Sequence, residues 1–181
     1  MQARLHEHLG KIKCELIISY NSSLIFDKTK LYSFNSIVSI IKIAFHERQN
    51  NNLFLKLMEY LSSINSNFNF RDYFSLELDI LKENGYQLQL DKCALTGKKE
   101  ELVYVSPRTG RAISREKGLP YHTKLLALPR FINDRNVDIN KNDLTNASKL
   151  LTYFFSRYIW PNQNMPIPRK RFYEAIISLY N

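Results

Sequence analysis

Residues 93–118 read CALTGKKEELVYVSPRTGRAISREKG, and the fold turns on this stretch. Leu102-Val103-Tyr104-Val105-Ser106 has the composition of a strand, Pro107-Arg108-Thr109-Gly110 that of a β-turn, and Arg111-Ala112-Ile113-Ser114 that of the return strand. Such a unit is a knuckle, a hairpin and a second knuckle. A structural zinc site of this kind takes two ligand pairs, usually Cys-x-x-Cys, one at each end. Here the pairs are Cys93 with Thr96, and Ser114 with Lys117. Neutral hydroxyls bind zinc poorly, and Lys117 brings a positive charge. Cys93 is therefore a lone remnant ligand and no metal is expected. Packing of Leu95, Leu102, Tyr104 and Ile113 is expected to hold the hairpin instead.

Outward from the hairpin the period becomes helical. Ile37, Ile40, Ile41, Ala44 and Phe45 share one face, with Asn35 or Ser36 as the cap. Leu53, Leu57, Tyr60, Leu61 and Ile64 mark a second helix after the Asn50-Asn51-Asn52 break. Phe70, Phe74, Glu77, Leu78 and Leu81 mark a third, stopped at Asn84-Gly85. Asn142 or Asp143 is expected to cap a long helix through Leu144, Ala147, Leu151, Phe155 and Tyr158, ended by Pro161. A last helix is expected over Arg169–Tyr180. Upstream, residues 11–20 read as a strand, and Leu24-Ile25-Phe26 as a shorter one. The fold class is mostly α: a helical domain with a small inserted β-hairpin, preceded by remnant strands.

The chain has 181 residues, enough to bury one sizeable core. Its two cysteines, Cys14 and Cys93, form no disulfide framework, so a reducing cytoplasm is expected. No apolar run approaches the length of a membrane span, and residues 1–10 lack the apolar core of a signal peptide.

The net charge of +9 is unevenly placed. Residues 1–91 hold ten basic and ten acidic side chains, whereas residues 92–130 hold nine and three, and residues 157–181 four and one. Clustered positive charge points to a polyanion. On the hairpin unit the candidates for phosphate are Lys98, Lys99, Arg108, Arg111, Arg115 and Lys117. Arg169, Lys170 and Arg171 fall in the first turn of the last helix, where cations oppose the macrodipole, so they are expected to serve an anion: a phosphate, or an acidic peptide with its terminal carboxylate.

Catalytic patterns fail on their surroundings. Ser114-Arg115-Glu116-Lys117 fits S-x-x-K, but Ser114 follows a strand and no Lys-Thr-Gly occurs. Glu77 and Asp79, two apart on a helix, point in different directions. His6 and His8 supply at most half a metal site. The expectation is a binding protein, not an enzyme, with no cofactor.

Asp91-Lys92-Cys93-Ala94-Leu95-Thr96-Gly97 and Tyr104-Val105-Ser106-Pro107-Arg108-Thr109-Gly110-Arg111-Ala112 together resemble the RecO family of bacterial DNA repair proteins. The opening Ala3-Arg4-Leu5-His6-Glu7-His8-Leu9-Gly10 is similar to the end of that family's N-terminal OB-fold, and Pro168-Arg169-Lys170-Arg171-Phe172 to its last helix. The resemblance implies residues 1–32 as a partial OB-fold remnant, and residues 33–181 as the C-terminal helical domain with its zinc-finger-like insertion at 91–118. Many members hold zinc through four cysteines here, and this chain resembles a branch that keeps only Cys93. The implied function is a recombination mediator. It would bind single- and double-stranded DNA, anneal strands, contact the acidic C-terminal tail of single-strand binding protein, associate with RecR and help load RecA, within the bacterial nucleoid. The alternative is a remnant that only binds the acidic tail.

Overall fold

The structure is a computed structural model. It describes residues 13–16, 19, 24–45 and 50–180. Helix α1 spans Lys28–Ala44, α2 Asn51–Ser66, α3 Phe70–Glu83, α4 Lys141–Tyr158 and α5 Ile167–Ser178. Between α3 and α4 lie strands β1 (Leu102–Val105), β2 (Ala112–Ser114) and β3 (Leu126–Ala127), with a helical turn at Arg115–Gly118 and two short 3₁₀ segments. The strands form one antiparallel sheet in the order β2-β1-β3.

Polar caps set where the helices begin. The Asp27 side chain accepts from the N–H groups of Thr29 and Lys30, so α1 starts well before the expected cap at Asn35 or Ser36. Leu24 and Ile25 are themselves helical, which corrects the short strand expected there. Residues 13–16 and 19 have no regular structure, and the rest of the strand expected at 11–20 lies outside the described residues, as do His6 and His8. Asn50 caps α2 and Asn69 caps α3. The start of α4 is a capping box. Asn140 accepts from the Asp143 N–H and the Asp143 carboxylate accepts from the Asn140 N–H, so Asn140 is the cap and Asp143 its third-position partner. At the end of α3 Gly85 takes φ +88, and the Tyr86 N–H returns to the Leu81 carbonyl.

The core joins all five helices and the sheet. Ile37 and Ile40 of α1, Tyr73, Phe74 and Ile80 of α3, Leu151, Phe154 and Phe155 of α4 and Phe172 of α5 are all buried. Phe70, Tyr73 and Phe172 cluster, with ring centroids of Tyr73 and Phe172 4.1 Å apart. α5 packs along α1 and crosses α4, which pins the C-terminal cations to this framework.

In the hairpin, Leu102, Val105, Ala112, Ile113 and Cys93 are buried, and Tyr104 is half-buried. Leu95, expected in this core, is 66% exposed. It lies on the knuckle loop, whose interior is occupied by the Cys93 sulfur. Among the described residues, no helix is long and apolar enough to cross a membrane.

Candidate nucleic-acid and acidic-peptide interface

Hydrogen bonds hold the loop at Cys93 closed and tie it to the end of β2. The Cys93 sulfur accepts from the Ser114 N–H at 3.3 Å, and the thiol donates to the Ser114 hydroxyl oxygen at 3.6 Å. The Cys93 N–H donates to the Lys98 carbonyl, and the Gly97 N–H returns to the Cys93 carbonyl. Burial opposes ionisation of the thiol. Donors from Thr96, Ser114 and the Leu95 backbone outweigh that and lower it to about 6. Among the described residues no group of three His, Cys, Asp or Glu side chains could hold a metal ion. The residues present do not fit zinc, because three of the four ligand positions carry no anionic donor.

The six cations expected on the hairpin unit fall at two ends of the sheet. Lys98, Lys99, Arg115 and Lys117 are exposed at the knuckle end, where the Arg115 N–H bonds to the Glu101 carbonyl; Lys117 pairs with Glu116 at 2.8 Å. Arg108 and Arg111 lie at the turn end, with Arg108 exposed and Arg111 half-buried. A four-residue strand separates the two groups, about 13 Å at strand rise.

The three cations of the last helix have three different fates, and one corrects the expectation of a common anion site. Arg169 is fully buried and turned inward. Its Nε donates to Glu77 Oε1 at 2.7 Å and its Nη2 to Glu77 Oε2 at 3.2 Å, while Nη1 meets Thr152 Oγ1 at 2.6 Å. The hydroxyls of Tyr73 and Tyr173 donate to the same carboxylate at 2.9 and 2.7 Å. Burial alone would depress the Arg169 guanidinium, but the Glu77 carboxylate reverses this and holds it charged. Burial and then the Glu77 charge push both tyrosines far up. Arg169 is thus unavailable to an external anion. It cancels its own conflict with the helix dipole by bringing Glu77 to the first turn of α5. Lys170 is exposed, 3.8 Å from Glu174 one turn on. Arg171 lines a groove of about 270 Å³ between α1 and α5, with Tyr32, Asn35, Val38, Ser39, Lys42 and Pro168.

Sequence reasoning missed Lys42 and Tyr32, whose helical spacing marks only a helix face, and whose pairing with Arg171 is set by the packing of α5 on α1. It also missed Arg157, which donates to the Pro107 carbonyl at 3.4 Å and lies over the Tyr158 ring at 5.4 Å, and so joins the hairpin turn.

The architecture is thus a helical domain carrying a small antiparallel sheet with cations at both ends, and a basic groove between α1 and α5. A family model described as "Recombination protein O C terminal" matches residues 25–164. The "DNA repair protein RecO" of Rickettsia felis is 47% identical over 178 residues, covering 98% of this chain and 75% of the relative. Those of Rickettsia peacockii and Rickettsia bellii are 48% and 46% identical over the same length. No solved structure matches the chain. The chain belongs to the RecO family.

Proposed function

We propose that this chain acts in DNA repair as a non-catalytic mediator, holding DNA through the cations of the hairpin unit and an acidic protein tail through the groove between α1 and α5. The DNA reading rests on the exposed cations Lys98, Lys99, Arg108 and Arg115, none of which is paired with a carboxylate among the described residues. Membership of the RecO family supports the same reading, since the relatives are named as DNA repair proteins. Strand annealing, association with RecR and assistance to RecA loading on single-strand-binding-protein-coated DNA belong to this proposal.

The groove favours the tail. An acidic segment ending in an aromatic residue needs an apolar floor and a cation for its terminal carboxylate. Tyr32, Val38 and Pro168 supply the first, and Lys42 and Arg171 the second.

Both parts are tested by fluorescence anisotropy with single-stranded DNA and with an acidic peptide ending in Asp-Ile-Pro-Phe. Six phosphate contacts give a log–log salt slope of about −4, and the four knuckle cations alone about −3. Arg171→Glu should abolish peptide binding and leave that slope unchanged. A flat salt response ends the DNA reading; peptide affinity untouched by Arg171→Glu ends the placement of the tail.

A further inference from the structure

The turn end of the hairpin carries chemistry that the knuckle end does not. Three segments meet there: residues 84–90, 106–111 and 153–158. The Gln89 N–H bonds to the Gly110 carbonyl, and Gln89 bridges Arg111. Arg157 reaches back to Pro107, and a Cβ placed on Gly110 would strike Leu88 at 2.8 Å and lie 3.7 Å from Phe154. These segments contain three arginines, Arg108, Arg111 and Arg157, three tyrosines, Tyr86, Tyr153 and Tyr158, and no Asp or Glu.

The aromatic geometry is specific. Tyr86 stacks on Tyr158 with centroids 3.9 Å apart and planes at 13°, and Tyr158 is parallel to Phe154 in turn. One face of Tyr86 is therefore covered and held, yet the residue is 39% exposed. In the same group of segments, Arg108 is exposed, and the Nε of Arg111 is buried with no hydrogen-bond partner. A stacked, partly exposed ring, in a stack that Arg157 caps at 5.4 Å from Tyr158 and in the same group of segments as Arg108 and Arg111, suits an unpaired nucleotide: the base stacks, and the flanking phosphates meet arginine. A duplex hides its base faces and offers only phosphates.

We infer that the hairpin turn and the C-terminal turns of α4 form a stacking subsite for an unpaired nucleic-acid strand, with Tyr86 as the platform and Arg108, Arg111 and Arg157 as phosphate contacts. The inference rests on the DNA reading above and adds to it a place where bases, not only phosphates, are bound. The two ends of the sheet then differ in role. The knuckle lysines hold any backbone, and the turn selects strands whose bases are exposed.

The test compares a labelled oligothymidylate with an abasic deoxyribose-phosphate strand of equal length and charge. Wild-type protein should bind the thymidylate about five- to hundredfold more tightly. Tyr86→Ala should remove most of that ratio without weakening the abasic strand, and Tyr86→Phe should retain it. Arg108→Ala with Arg157→Ala should weaken both strands and reduce the salt slope by about 1.4. Tyr121→Ala, at an exposed tyrosine outside these segments, should leave the ratio unchanged. Fluorescence of Trp160, the sole tryptophan, reports that each variant is folded. A wild-type ratio of one, or a ratio that survives Tyr86→Ala, overturns the stacking subsite while the DNA reading stands. Binding of neither strand by wild-type protein overturns both.

Discussion

Replacing Glu77 by Gln should be among the most damaging isosteric changes in this fold. Glu77 and Arg169 are both fully buried and joined by two hydrogen bonds, and the carboxylate takes two more from Tyr73 and Tyr173. Gln has the same shape but one acceptor oxygen, and its amide would face donors. Two of the four bonds are lost, and a guanidinium remains in the core with no counter-ion. Breaking a buried pair from one side costs about 3–5 kcal/mol, a large share of the ~5–15 kcal/mol that keeps a domain folded. At a urea dependence of ~2 kcal/mol per molar, the midpoint should fall by about 1.5–2.5 M. Trp160 is the reporter, because it stacks on Phe155 at 4.9 Å, and Phe155 lies 5.3 Å from the Arg169 guanidinium. Arg169→Met should be similarly harmful at neutral pH. The Glu77→Gln/Arg169→Met double variant should lose less than the sum, since no lone charge is left behind. Additive losses, or a Glu77→Gln cost below about 1 kcal/mol, would refute the view that this pair is a mutually dependent buried charge network.

Two further outcomes concern the knuckle. The Cys93 pKa is lowered on folding to about 6, so its contribution is complete above the unfolded thiol's pKa and is lost as pH falls through about 6. Ultraviolet absorbance of the thiolate should titrate with that midpoint, and Ser114→Ala should move it upward; an unchanged midpoint would mean that the Ser114 hydroxyl does not stabilise the anion. Restoring ligands with Thr96→Cys, Ser114→Cys and Lys117→Cys should create a tetrahedral zinc site, because the Ser114 oxygen already lies 3.6 Å from the Cys93 sulfur, close to the separation of two thiolates on one zinc. Equilibrium dialysis with zinc should give one bound ion per chain, and no uptake would show that the loop has lost the ligand geometry.

How much of this was legible in the sequence depended on the range of the forces involved. Helices α2 and α3 follow the apolar period closely, and the α3 stop at Gly85 follows from backbone chemistry within a few residues. The hairpin was legible for the same reason. The start of α1 was not, because Lys28 to Tyr32 lacks an apolar stripe and helicity there is set by the Asp27 cap and by α5 packed alongside. Arg169 is the sharpest case. Its neighbours Lys170 and Arg171 are exposed, and nothing local distinguishes it from them. Only Glu77, 92 positions away, decides that it turns inward. Glu77 gave the matching false signal as an unremarkable helical carboxylate.

That one ion pair changes what the clustered charge means. The excess after residue 156 does not act as a unit: Arg157 joins the hairpin turn, Arg169 is neutralised inside, Lys170 faces Glu174, and Arg171 rims the groove on α1. The excess on the hairpin divides too, into a lysine-rich end with no stacked ring pair among the described residues and an arginine end built around stacked tyrosines. Lysine is a hydrated point charge suited to any phosphate, whereas arginine with an aromatic face can also engage planar groups. On the proposed DNA reading, the two ends of this small sheet, joined by the β1–β2 ladder, would bind one backbone in two ways. With no zinc to anchor it, the spacing between them depends on Cys93 accepting the Ser114 N–H at one end and on the Gln89–Gly110–Arg111 bonding at the other. Loosening the knuckle should thus weaken DNA binding through geometry even where no cation has been removed.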